Sequence, residues 1–302
     1  MMQTHQRNRF PLFPTSLLLF LACALTGCLA SAPADQAVEL DVMSFNIRNG
    51  RANDGDNAWE HRRELVCAVL RDNAPDIVGI QEAFDFQLDA LEGCLPQYRA
   101  IGEGRDGARS GEHSSILILE ERFDVEDSGT FWLSDTPDVV SRSWGNGYHR
   151  VCTWVRLADL QTGVVFYVFN THLDHRSQPS RLNSARLIAQ RVAEVEQGIP
   201  VILTGDFNAG EGNPVIDYLK GGDAQVAPPV ALVDTFRVMH PDQEQVGTGN
   251  GGYSGRRNGA KIDYIFVTPG VQTLGAGIDQ EPRGGRYPSD HYPVTARVCL
   301  GG

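Results

Sequence analysis

The stretch VILTGDFNAG, residues 201–210, decides how the rest of the chain is read. Its first half is an apolar run of strand length with the look of a strand buried on both faces. Its second half ends in an acid and an amide, Asp206 and Asn208. At that spacing an extended chain places both on one side of the strand tip. Such a tip either turns, since Asp and Asn stabilise turns through their own side chains, or gathers polar groups for chemistry.

The pattern recurs outward from this point. Strand-like runs lie at residues 40–47 (LDVMSFNI), 76–82 (DIVGIQE), 114–119 (SSILIL), 151–157 (VCTWVRL), 164–173 (VVFYVFNTHL), 261–267 (KIDYIFV) and 291–300 (HYPVTARVCL). Between them, Leu182, Ala185, Ile188, Ala189, Val192 and Val195 fall at helical steps, and residues 60–71 behave alike. Trp59 and Arg63 read as packing and capping residues of that first helix. Strands outnumber helices, and successive strands come with and without a helical crossover. That mixture predicts an α/β sandwich of two mixed sheets packed face to face, with helices on their outer surfaces.

Polar residues punctuate the same runs: Asn46, Glu82, His172, Asp174, Asp206, Asn208, Asp263, Asp290 and His291 each sit in or beside an apolar strand. An unpaired buried carboxylate costs several kcal/mol or shifts its pKa until neutral, so these groups are expected to meet one another or a cation. The set holds carboxylates, amides and two histidines but no thiolate. Oxygen donors of that kind suit Mg²⁺, with Mn²⁺ as a second candidate, better than zinc. Metal-assisted attack of water on a phosphoester is the expected chemistry.

In order, SFNIR, GIQE, NTHLDH, GDFN, KIDYIF and SDHYPV resemble the motifs of the endonuclease/exonuclease/phosphatase superfamily, over about residues 40–299. The superfamily includes DNase I-like nucleases, apurinic endonucleases, bacterial sphingomyelinases, inositol phosphatases and deadenylases. The resemblance implies a four-layered α/β sandwich. It makes Glu82 the direct metal ligand, with Asn46 and Asp290 near the same cation. It gives Asp206 and Asn208 to the attacking water and the phosphate, His172 to a nonbridging oxygen, and His291 to the far side of phosphorus, oriented by Asp263. Either Asp206 or His291 is the base.

Arg150 and Asp174 are further substrate-binding candidates; a surface charge at a strand start is the plain reading of Arg150. The Gly-rich run at 247–261 reads either as a lid carrying Arg256, Arg257 and Lys261 to an anionic substrate or as a connector. In SGTFWLSDTPD, residues 128–138, Phe131 and Trp132 fit either a membrane-touching tip or a strand.

The ends and the charge bound the remaining choices. Arg7 and Arg9, an apolar stretch at 17–25 and LTGC closing at Cys28 resemble a lipoprotein signal. That implies a signal peptide over 1–27, lipid on Cys28, a tether over 28–39 and one domain over 40–300; an ordinary signal peptide cut near residues 30–34 is the alternative. Both readings export the protein, with a membrane-anchored form expected. Cys67, Cys94, Cys152 and Cys299 are either small buried hydrophobes or disulfide partners, and their spacing is no metal knuckle. A formal charge of −12 argues against a long polyanion in a basic groove, although a bound cation would still admit a phosphate.

The expectation is therefore a monomeric, exported, Mg²⁺-dependent hydrolase of a small or lipid-borne phosphodiester or phosphomonoester. An extracellular nuclease, either a 3′–5′ exonuclease or an endonuclease, and a non-catalytic surface lipoprotein are the alternatives.

Overall fold

The computed structural model describes residues 37–222 and 226–301. In chain order the first half runs β1 (Val38–Asn46), α1 (Trp59–Asn73), β2 (Ile77–Gln81), α2 (Asp85–Cys94), β3 (Tyr98–Ile101), β4 (Ile116–Leu119), β5 (Phe123–Trp132), β6 (Val151–Asp159) and β7 (Val165–His172). The second half runs α3 (Gln178–Ala193), β8 (Val201–Asp206), α4 (Pro214–Leu219), β9 (Val233–Asp234), α5 (Thr235–Met239), β10 (Asp263–Val267), β11 (Gln272–Ile278) and β12 (Val294–Leu300). They form two six-stranded sheets, ordered β11-β12-β1-β2-β4-β3 and β5-β6-β7-β8-β10-β9. The parallel pairs, β1 with β2 and β7 with β8, are those joined through α1 and α3; the other pairs are antiparallel. A parallel pair needs such a crossover, whereas an antiparallel one does not.

Alternation sorts the strands' side chains into layers. Leu40 and Val42 of β1, Ile77 of β2, Phe166 and Val168 of β7, Ile202 of β8 and Ile265 of β10 meet between the sheets. Met43, Phe45, Val78 and Ile80 face outward under α1 and α2, while Phe169, Val201 and Leu203 face outward under α3 and α4. The four-layered α/β sandwich expected from the sequence is the observed fold.

Strand β1 starts at Val38, paired with Leu300, so folded structure begins ahead of residue 40. The expected signal peptide and Cys28 lie outside the described residues. Phe131 and Trp132 end β5 with both side chains buried, which removes them as a membrane-touching tip. On α1 the buried cation is Arg62, at i+3 from Trp59, while Arg63 is exposed and the helix has no side-chain cap.

Cys67 on α1 and Cys94 at the end of α2 form a disulfide across 27 residues, and among the described residues Cys152 and Cys299 have no disulfide partner. Closing a loop of that length in the unfolded chain is worth about 3.5 kcal/mol. Replacing both cysteines by alanine should therefore lower urea-unfolding stability by about that amount. An unchanged midpoint would mean that the bridge contributes nothing.

Candidate active site

Between the sheets the inner faces change character along each strand. Leu40 and Val42 give way to Ser44 and Asn46 on β1, and Ile77 to Gly79 and Gln81 on β2. Phe166 and Val168 give way to Asn170 and His172 on β7, Ile202 to Thr204 and Asp206 on β8, and β10, running the other way, starts at Asp263. The pairing puts Asn46 beside Gln81, His172 beside Asp206 and Asp206 beside Asp263, so the polar ends share one rim of the sandwich.

A buried amide layer supports that rim. Asn170 Oδ1 accepts from Gln81 Nε2 at 2.7 Å and Thr204 Oγ1 at 3.0 Å, and its Nδ2 donates to the carbonyls of Ile80 and Ser115 at 2.8 and 2.9 Å. The sheets approach so closely here that a Cβ on Gly79 would fall 2.1 Å from Thr204 Oγ1. Sequence reading missed these supports. The visible signal was the apolar-to-polar drift along every second residue.

Above this layer the functional side chains converge on Asp206. Asn46 Nδ2 donates to Asp206 Oδ2 and to Glu82 Oε1, each at 3.0 Å. Asp206 Oδ2 lies 3.5 Å from His172 Nε2 and 3.8 Å from His291 Nε2, and Asp263 Oδ2 sits 2.9 Å from His291 Nδ1. Glu82 adopts φ 63°, just past the end of β2, and its Oε2 accepts from the Asn49 amide at 2.9 Å. Non-glycine residues at positive φ cluster at functional sites, where surrounding contacts hold them.

Asn208 reaches the same cleft by a different route from the expected one. Strand β8 ends at Asp206, and Asn208 follows at φ 48°, its amide donating to Asp206 Oδ1 at 2.9 Å and its Nδ2 to the Leu173 carbonyl at 3.0 Å. A left-handed turn, not strand alternation, places it. Asp290 lies at the rim, 3.6 Å from Arg48 Nη1. Asp174 is not among the cleft-lining residues: its carboxylate accepts from the amides of Arg176, Ser177 and Gly147 at 2.8, 2.7 and 3.3 Å. That organises the turn into α3.

The Gly-rich run is tied down at both ends. Asn250 donates its backbone amide to the Asp290 carbonyl at 2.8 Å and its Nδ2 to the Ser289 carbonyl at 2.7 Å, and Thr248 Oγ1 accepts from the amides of Ile262 and Asp263 at 3.0 and 3.2 Å. Of its three cations, Arg256 is exposed, Arg257 pairs with Glu281 at 3.1 Å, and Lys261 is buried. None of the three lines the cleft. Lys261 Nζ donates to Asp234 Oδ2 at 2.8 Å and lies 3.4 Å above the Tyr264 ring; burial pushes it down to about 8 against the pull of Asp234. Removing one partner of a buried pair costs about 3–5 kcal/mol. Lys261→Met should lower unfolding stability by about that much while leaving KM for a phosphoester within about twofold. A raised KM with unchanged stability would restore the lid reading.

Arg62, missed in the sequence, is a hub beneath the rim. Its guanidinium donates to the carbonyls of Ile47, Pro288, Arg48 and Asn57, tying the ends of β1 to the loop before Asp290.

Electrostatics divides the labour. Burial pushes Asp206 up to about 7, helped by Asp263 and opposed by His291. Burial works against a charge on His291, yet Asp263 and Asp206 carry it well above its ordinary value. His172 falls well below its own, through burial and the nearby Arg150 charge, and is neutral. Burial also opposes ionisation of Glu82, but the Asn46 bond, the His291 charge and the Asn49 amide outweigh it and leave the carboxyl below its ordinary value. The two carboxylates are therefore different species: one firmly ionised, one poised to exchange a proton near neutral pH.

Ligand atoms of Glu82, His172 and Asp206 lie within 4.8 Å of one another, as do those of Asp206, Asp263 and His291. The first group, with two carboxylates and one imidazole, fits a hard divalent cation. Asn46 Oδ1 is taken by the Arg48 amide at 3.0 Å, so in this geometry Asn46 bridges the two carboxylates through its Nδ2 instead of offering an oxygen. The surrounding cleft, of about 440 Å³, is large enough for a small phosphoester and is lined further by Asn49, Phe84, Arg105, Glu112, Tyr148, Arg150 and His175.

Paired sheets that deliver acids, amides and histidines to a common rim place the molecule in the DNase I-like class. The chain belongs to the endonuclease/exonuclease/phosphatase family, whose model matches residues 43–291, and it is a hydrolase of phosphoester bonds. A family protein from Bacteroides thetaiotaomicron has a similar structure, with a TM-score of 0.80, 33% identity, and coverage of 88% of this chain and 97% of that one. A mannosyl-6-phosphatase from the same organism gives a TM-score of 0.77 at 33% identity, covering 86% and 99%. The RNA exonuclease NGL1 of Saccharomyces cerevisiae is 25% identical over 184 residues, 51% of this chain and 50% of that protein. The chain thus spans half the length of that curated relative.

Proposed function

We propose that the protein is an exported, Mg²⁺-dependent hydrolase of a small or lipid-borne phosphoester, with Mn²⁺ as a competent substitute. The observation that carries this reading is the convergence of Asn46, His172 and His291 on one oxygen of Asp206, with Glu82 and Asp263 one contact away. When bound, the cation would be held by Glu82, with Asp290 at the cleft rim near it, and would neutralise charge on the phosphate oxygens and the leaving alkoxide. Asp206 takes the proton of the in-line water, and His291, kept protonated by Asp263, stabilises charge gathering at phosphorus. His172 and Asn208 hold the phosphate from the side. The similarity to a mannosyl-6-phosphatase supports a small, sugar-borne phosphate as substrate. Export and a lipid on Cys28 rest on the N-terminal sequence alone.

A nuclease is the second reading, favoured by the similarity to the yeast RNA exonuclease. The small size of the cleft, about 440 Å³, and the acidic chain weigh against a groove that tracks several phosphates. The test is hydrolysis of chromogenic phosphoesters and of labelled RNA by the purified protein with Mg²⁺, with Mn²⁺ and with chelator. Turnover of the small ester that chelation abolishes supports the proposal; faster cleavage of RNA with a steep salt dependence would overturn it.

A further inference from the structure

One side of the cleft holds a charge that the catalytic cluster does not use. Arg150 is 4% exposed, yet among the described residues no carboxylate lies within 4.0 Å of its guanidinium. Its Nη2 lies 3.2 Å from His175 Nδ1, and its buried Nε has no partner among the described residues. The neighbouring guanidinium, Arg105, is already neutralised: Glu112 Oε2 lies 2.6 Å away, and the other Glu112 oxygen accepts from Asn49 Nδ2 at 2.8 Å. Two guanidiniums thus face one carboxylate, Glu112, which touches Arg105 and attracts Arg150 only from a distance, so this wall carries a net positive charge beside the site. Arg150 faces the catalytic groups closely enough to push the His172 imidazole toward neutrality. A buried guanidinium with an unfilled donor is costly unless an anion completes it.

The two ester classes differ by one charge. A phosphodiester carries a single negative charge, whereas a monoester, with a second pKa near 6, is a dianion at neutral pH. Alkylating the terminal oxygen removes both that charge and an acceptor. We infer that Arg150 binds the terminal phosphate oxygen of the substrate and makes the enzyme a phosphomonoesterase. This rests on the hydrolase reading above and refines it.

In the balanced reaction, R–O–PO₃²⁻ and water give R–OH and HPO₄²⁻. The water oxygen forms the new bond to phosphorus and yields a proton to Asp206. The scissile P–O bond breaks with its electron pair on the leaving oxygen, which then takes up a proton. Arg150 exchanges no proton; it holds the oxygen that a diester lacks. Arg is suited to this because its planar fork stays charged even when buried.

The experiment compares kcat/KM for a nitrophenyl phosphate monoester and its methyl diester, using full-length wild type and Arg150→Gln with Mg²⁺. Wild type should prefer the monoester by at least about tenfold. The variant should lose about 30- to 100-fold on the monoester, the size of a charge-assisted hydrogen bond, and no more than about threefold on the diester. Arg150→Lys should recover part of the loss. Because Arg150→Gln removes a buried side chain, competition against wild type supplies a readout free of folding effects. Inorganic phosphate should inhibit at least about tenfold more tightly than dimethyl phosphate. A diester preference, equal losses on both esters, or equal inhibition by the two anions overturns the inference while leaving the hydrolase reading in place. A protein inert on both esters overturns the two together.

Discussion

Asp206→Asn should lower kcat on a phosphoester by about 10³-fold, with the fold retained by circular dichroism. General-base catalysis is worth about 10²–10⁴ in rate, and this carboxylate has more than one task. Its Oδ2 faces Asn46 Nδ2 at 3.0 Å, His172 Nε2 at 3.5 Å and His291 Nε2 at 3.8 Å. An amide at that position loses the charge that assists Asp263 in keeping His291 protonated and the oxygen that would take the water's proton. If the new Nδ2 faces inward, it also meets the Asn46 donor head-on. The measurement is single-turnover hydrolysis at saturating Mg²⁺, and activity within tenfold of wild type would remove Asp206 from the chemistry.

The second large effect belongs to His291, and the identity of its partner makes the prediction sharper. His291→Ala should cost about 10²–10³ in kcat, the range observed when a donor aimed at developing charge is removed. The contact Asp263 makes in the site is with the imidazole, at 2.9 Å, while it acts on Asp206 beside it only through its charge, so it is a positioning residue. Asp263→Asn should therefore give a smaller loss, and adding it to His291→Ala should cost almost nothing further. Additive losses in the double variant would mean that Asp263 contacts substrate or metal by itself. Asp263 Oδ1, which is buried without a partner among the described residues, is the atom that such a result would implicate.

The site was more legible in the sequence than its scaffold. Asn46, Glu82, His172, Asp206, Asp263 and His291 each interrupt an apolar run, and the physical demand that buried polar groups find partners brings them together without knowledge of the topology. Their supports were hidden for the same reason. Asn170, Gln81 and Thr204 sit one step deeper, where a polar residue inside a strand looks like ordinary alternation until the opposing sheet is known. Arg62 and Arg63 are indistinguishable by composition, and only the i+3 step from Trp59 favours the one that is buried. The Cys67–Cys94 bridge required knowing that the segments bearing them lie side by side.

The misreadings have a common cause as well. Asp174 reads as a substrate-binding candidate and Lys261 as part of either a lid or a connector because both flank motif residues, but sequence proximity to a site does not determine where a long or capping side chain finds its partner. Lys261 turns to Asp234, and Asp174 turns to three backbone amides. Edge strand β11, with glycines at 275 and 277 and half-buried side chains, carries no strong apolar period and was not visible as a strand.

The central claim is that water, positioned at the Asp206 rim, attacks phosphorus. Hydrolysis of a phosphomonoester in ¹⁸O-labelled water, followed by mass spectrometry of both products after one turnover, tests it most directly. The account predicts one labelled oxygen in the released phosphate and none in the alcohol, with the labelled product absent in Asp206→Asn over the same interval. Label in the alcohol and none in the phosphate would place the attack at carbon, and that result contradicts the account.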